Sequence, residues 1–79
     1  MIDERIRNVI VNIIDQELDR YSANWSNIEA EALATISYIN DNSVEVDNRI
    51  YQFLEDADVR RKSPLYAQRQ TDDVLTLIS

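Results

Sequence analysis

The chain contains no glycine in 79 residues. An ordinary domain carries about 7% glycine, so about five or six are expected at this length. Glycine is the usual residue where backbone must take positive φ or pass close to a ligand. Its absence therefore removes Gly-rich phosphate loops, glycine hairpins and nucleophile elbows. It favours helices joined by short turns that Asn, Asp and Ser can make. The expected fold class is all-α, with residues 1–79 forming a single helical domain.

There is also no cysteine and no histidine, which excludes disulfides, zinc–thiolate sites and the Ser-His and Cys-His nucleophile arrangements. A core this small offers only a few kcal/mol by itself, and oligomerisation is a common remedy. The acidic start Met1-Ile2-Asp3-Glu4 lacks the basic and apolar regions of a signal peptide. No apolar run approaches the ~20 residues of a membrane span. The expected location is cytoplasmic, with no membrane partner.

Charge is unevenly distributed. Net charge is −7. Residues 1–59 hold 13 acids against 4 bases, whereas residues 60–69 hold four bases and no acid. A body of this sign repels a nucleic-acid backbone, so no generic nucleic-acid binding is expected.

Residues 2–22 predict an amphipathic helix from Ile2, Ile6, Val9, Ile10, Ile13 and Tyr21 at helical spacing. Val11, Ile14 and Leu18 widen the apolar stripe to roughly 200°, more than the ~100° that one neighbour covers. That width predicts a second partner, and a second copy of the chain is the natural one. Arg7 and Glu17 interrupt the stripe and are expected at its edge, Glu17 satisfied by Arg20, by Tyr21 or by Arg7 of an antiparallel partner. Ser26-Asn27-Ile28-Glu29 has the form of a capping box and predicts a second helix over 27–40, with Ile28, Ala32, Ile36 and Ile39 inward. Asn40-Asp41-Asn42-Ser43 predicts a turn. A third helix over 43–61 follows, capped by Asn42 or Ser43, with Val46, Ile50, Phe53, Leu54 and Ala57 as its stripe. Ser63-Pro64 ends it and starts a C-terminal helix or tail over 64–78. The short connections predict a small antiparallel three-helix bundle with that added segment. The closing Val74, Leu75, Leu77 and Ile78 have no clean period. They are expected to dock on the bundle or on a neighbouring subunit, so Val11, Ile14, Leu18, Val74, Leu75, Leu77 and Ile78 form the candidate oligomer interface.

Paired carboxylates such as Asp15/Glu17/Asp19 and Glu55/Asp56/Asp58 fall on predicted polar faces, and no catalytic residue is assigned. Asp41 to Asp47 superficially resembles a calcium loop, but its turn glycine is missing and position twelve is Gln52 instead of Glu. No metal or cofactor is expected. The one stretch with binding chemistry runs from Arg60 to Arg69. Arg60, Arg61 and Lys62 end one helix and complement its dipole. With Tyr66 and Arg69 they meet the start of the next helix, an arrangement suited to an anion or to the acidic body of a second copy. The self-association reading is the favoured one.

The expected function is a non-enzymatic acidic protein-binding or regulatory module, homo-oligomeric, acting as an inhibitor that occupies a basic surface of a partner protein. One alternative is a nucleotide or cyclic-nucleotide binder using Arg60 to Arg69 at a subunit interface. Another is a structural subunit of a larger particle.

Overall fold

The computed structural model describes residues 2–79. Among these, five α-helices and no strand occur: α1 Glu4–Glu17, α2 Trp25–Asp41, α3 Asn48–Glu55, α4 Ala57–Lys62 and α5 Pro64–Ile78. The all-α class holds, while the expected third helix is two short ones and the C-terminal segment is a full helix.

Each boundary follows from local chemistry. Asp3 starts α1, its carboxylate accepting from the Arg5 and Ile6 amides at 2.8 and 3.2 Å, as an N-cap does. The helix stops at Glu17, short of residue 22, because the Asp19 side chain accepts from the Tyr21 and Ser22 amides. Such local bonds offer the backbone an alternative to the helix. α2 starts before the expected capping box: Asn24 accepts from the Asn27 amide at 3.1 Å, which puts Ser26 inside the first turn. Ser43 then ends the connection that glycine would ordinarily make. Its φ is 52°, its amide reaches the Asn40 carbonyl, and the Val44 amide reaches the Ile39 carbonyl at 3.0 Å. This is a Schellman closure with serine at the left-handed position.

The third helix starts five residues later than expected. Residues 44–47 are not helical; the β-branched Val44 and Val46 pack half-buried against the core, and Glu45 and Asp47 are exposed. The alternation is that of an extended segment. Asp47, not Asn42 or Ser43, caps α3 by accepting from the Arg49 amide at 2.9 Å. At Asp56 the helix breaks, with φ −96° and ψ 18°, and α4 starts at the next residue. Ser63 caps α5, accepting from the Tyr66 amide at 3.3 Å, with Pro64 in the first turn, as expected.

Helix α2 lies centrally, packed on α1, α3 and α4, and α5 returns across α3 and α4. Side-chain bonds set the antiparallel register of α1 on α2: Asn12 and Gln16 donate to Glu31 at 2.7 and 3.1 Å, and Tyr38 donates to Asp3 at 3.1 Å. The core joins Ile6, Ile10 and Ile13 of α1 to Ile28 and Ile39 of α2, Phe53 and Leu54 of α3, and Val74 and Ile78 of α5. Burying each large side chain contributes about 1.5–3 kcal/mol. The C-terminal apolar residues thus dock on their own bundle. No helix among the described residues is long and apolar enough to cross a membrane.

Candidate functional site

The five residues of the basic segment do not converge. Arg60 is fully buried, because it continues the core-facing line of Ile50, Phe53 and Ala57 at helical spacing. Its Nε donates to both Glu17 oxygens at 3.1 Å. Its Nη1 donates to the Phe53 carbonyl and, at 2.8 Å, to Gln70 Oε1. Its guanidinium carbon stacks 3.8 Å from the Phe53 ring centre. Nη2 lies 3.0 Å from Glu17 Oε2 but too poorly aligned for a hydrogen bond, so that arm acts through charge alone. Arg60 is therefore no surface ligand. It joins α4 to α1, α3 and α5, and Glu17 is satisfied by neither Arg20, Tyr21 nor a second copy's Arg7.

Tyr66 is also engaged internally. Its hydroxyl donates to Asp56 Oδ2 at 2.5 Å, and the same carboxylate accepts from Gln70 and Gln52 at 3.0 Å each. Burial pushes the Asp56 carboxyl up, but the bonds from Tyr66, Gln70 and Gln52 and the charge of Arg60 hold it below its ordinary value. The bond to Asp56, with burial and the carboxylate charge, raises the Tyr66 phenol. Arg61 and Lys62 are exposed at the end of α4. The final carbonyls there, of Arg60 and Arg61, accept from Arg20 at 2.6 and 3.0 Å. Tyr66 and Arg69 do share a cavity of about 260 Å³ with Arg49, Gln52, Gln70, Asp73 and Val74. That cavity carries acid as well as base, and Asp47 holds Arg49 through two bonds of 3.0 Å. The pairing pulls Asp47 from the ordinary 3.8 to about 2.

The interface candidates divide as well. Val74 and Ile78 are core residues, and Leu77 packs half-buried against the core; these three are corrected to intramolecular roles. Val11, Leu18 and Leu75 are exposed, Leu18 at 78%. Ile14 and Leu18 line a groove between α1 and α5 with Pro64 and Ala67 as its other wall.

A second groove, of about 410 Å³, opens between α2 and the break joining α3 to α4. Leu54 and Ala57 form its floor, half-buried Ile36 and exposed Leu33 one wall, and Glu29, Glu55 and Asp58 line it with carboxylates. None of these three acids has a base within 4.0 Å; among the described residues only Arg49–Asp47 and Arg60–Glu17 form ion pairs. Sequence reasoning missed this groove. The signal available was Glu29, Leu33 and Ile36 at i, i+4 and i+7, a stripe beside the one that enters the core.

No group of three or more potential ligand side chains is placed to hold a metal ion among the described residues. No protein-family model matches the chain, and no curated protein or solved structure matches it either.

Proposed function

We propose that this chain is a non-enzymatic, acidic helical binding module of the cytoplasm that regulates a partner protein by occupying its basic surface. One observation supports the reading most: apart from Glu17, Asp47 and Asp56, most carboxylates face outward without counter-charges of their own. Glu4, Asp15, Asp41, Glu55, Asp58, Asp72 and Asp73 are exposed, and none pairs with a base among the described residues. Several of the bases have internal duties instead, Arg7 on the Ile78 carbonyl at 3.1 Å, Arg20 on the end of α4 and Arg60 on Glu17. Unpaired charge of one sign steers an oppositely charged partner and sets the salt dependence of its binding.

The test is affinity capture from the source cell followed by anisotropy titration of each purified captured protein. A basic partner whose affinity falls about tenfold or more between about 50 and 500 mM salt is the expected result. Retention of partners that are acidic, or equally tight at both salts, would refute the reading.

A second reading, self-association, is supported by the exposed Leu18 lining the α1–α5 groove and by the exposed Val11 and Leu75 on the same two helices. Buried together in a two-fold interface, these side chains would replace water contacts on both copies.

A further inference from the structure

We propose that the groove between α2 and the α3–α4 break seats one amphipathic basic helix of the partner protein, its apolar ridge on Leu33, Ile36 and Leu54 and its Arg or Lys side chains on Glu29, Glu55 and Asp58. This rests on the function proposed above and names the contact through which it acts. The shape comes from helix packing: a furrow between two helices accepts the ridge of a third, and amphipathic helices are recognised in this way through anchors at i, i+3, i+4 and i+7. The groove is open along one side, and its volume of about 410 Å³ has room for a few large side chains. Leu33, 64% exposed on a helix whose core side is already filled, provides apolar surface that no described residue covers.

Charge selects the occupant. Glu29, Glu55 and Asp58 flank apolar surface with no base among the described residues within ion-pair distance. Apolar contact supplies affinity at such a site, while the flanking carboxylates set orientation and reject acidic partners. A second copy fits poorly, because no described helix sets several free bases beside a long exposed apolar ridge. In α1, Arg5 stacks 4.5 Å from the Tyr38 ring centre and Arg7 is held by the Ile78 carbonyl. In α4, Arg60 is inside, and the exposed Arg61 and Lys62 end a helix of six residues whose one exposed large apolar side chain is Val59. In α5, the only base is Arg69.

The test uses the full chain and a fluorescein-labelled peptide of ~18 residues made of Leu and Lys, Leu at helical spacing. A peptide of the same composition with alternating Leu and Lys serves as its control. Anisotropy is measured with the wild type, with Glu55→Lys/Asp58→Lys, and with Asp41→Lys/Glu45→Lys, which changes net charge equally but lies away from the groove. Leu33→Glu completes the set. The groove pair is expected to weaken the helical peptide about tenfold and the distant pair less than about threefold. Leu33→Glu is also expected to weaken it, although it adds negative charge. Binding of the helical peptide should exceed that of the alternating one.

Equal losses from the two charge pairs, or tighter binding by Leu33→Glu, would overturn the groove assignment and leave the acidic-surface reading standing. No binding of either peptide at low salt would overturn both. Loss of a wild-type dimer in the groove variants would assign the groove to a second copy and overturn the proposal.

Discussion

Replacing Arg60 separates two accounts of the same residue. As a surface base in the last turn of a helix, it would stabilise by about 0.3–1 kcal/mol through the helix dipole. As the buried partner of Glu17, with bonds to Phe53 and Gln70, its removal leaves an uncompensated carboxylate inside the protein, a loss of about 3–5 kcal/mol. A domain of 79 residues has a total stability of roughly 4–12 kcal/mol. Arg60→Ala should therefore remove a large share of it. With a urea slope of about 1 kcal/mol per molar, the unfolding midpoint followed by circular dichroism should fall by about 3 M, or the folded baseline should disappear.

Because the variant then yields no midpoint, Glu17→Leu/Arg60→Met is the necessary companion. Removing both charges spares the orphaned carboxylate, and apolar replacement of a buried pair is often neutral or stabilising. The double variant should be more stable than either single one, with a coupling of about 2 kcal/mol or more. Arg60→Lys should be intermediate, since one ammonium cannot meet Glu17, Phe53 and Gln70 in the guanidinium's planar fork. An Arg60→Ala variant within about 1 kcal/mol of wild type, with an unchanged urea slope, would refute the buried-pair account.

Ser43→Gly should stabilise by about 1 kcal/mol, because φ of 52° costs a residue with a Cβ; a calorimetric Tm about 4–8 °C higher is expected, and a lower Tm would show that the serine hydroxyl does more than the geometry. Ser63→Ala should cost about 1 kcal/mol by removing the cap on Tyr66, read in the same urea titration. The folded Asp56 carboxyl lies below its ordinary value, so its contribution is full above the unfolded aspartate pKa and is lost as pH falls through the folded one. The stability difference between wild type and Asp56→Asn should accordingly shrink between about pH 5 and pH 2; a difference that grows on acidification contradicts the assigned bonds. For self-association, sedimentation should show a species heavier than the 9.2 kDa monomer that Leu18→Glu dissociates. A monomeric wild type at the highest attainable concentration would end that reading.

The helix stripes were legible because their period reflects which side of a helix meets the core. Ile6, Ile10 and Ile13, and Ile28, Ala32 and Ile39, are inside as expected. Ser63-Pro64 was legible because its chemistry permits one role. The late start of the third helix was not, since Val44 and Val46 satisfy a helical pattern as well as an alternating one, and only packing against the finished core decides between them. Asn24 displaced Ser26 as a cap for a similar reason: two good caps stood close together. Arg60 was misplaced although its position continues Ile50, Phe53 and Ala57 at i+3, i+7 and i+10, just as Glu17 continues Ile6, Ile10 and Ile13. Two opposite charges, each on the apolar line of a different helix, are the mark of a buried pair. The charge run Arg60-Arg61-Lys62 concealed it.

The arginines also determine how this protein comes apart. Neighbouring helices pack from α1 through α2 and the α3–α4 pair to α5, but the α1 and α5 backbones do not pack closely. Beyond the shared apolar core, polar clasps from α1 and its following turn close the ring, Arg7 on α5 at the Ile78 carbonyl, and Glu17 and Arg20 on α4 at the Arg60 side chain and carbonyl. Such a ring opens at its closure before its walls melt, because local stability follows local contact density. Hydrogen exchange should find α1 and α5 escaping together while α2 stays protected, so the first partly unfolded form keeps α2 against α3 and α4, and the groove with them.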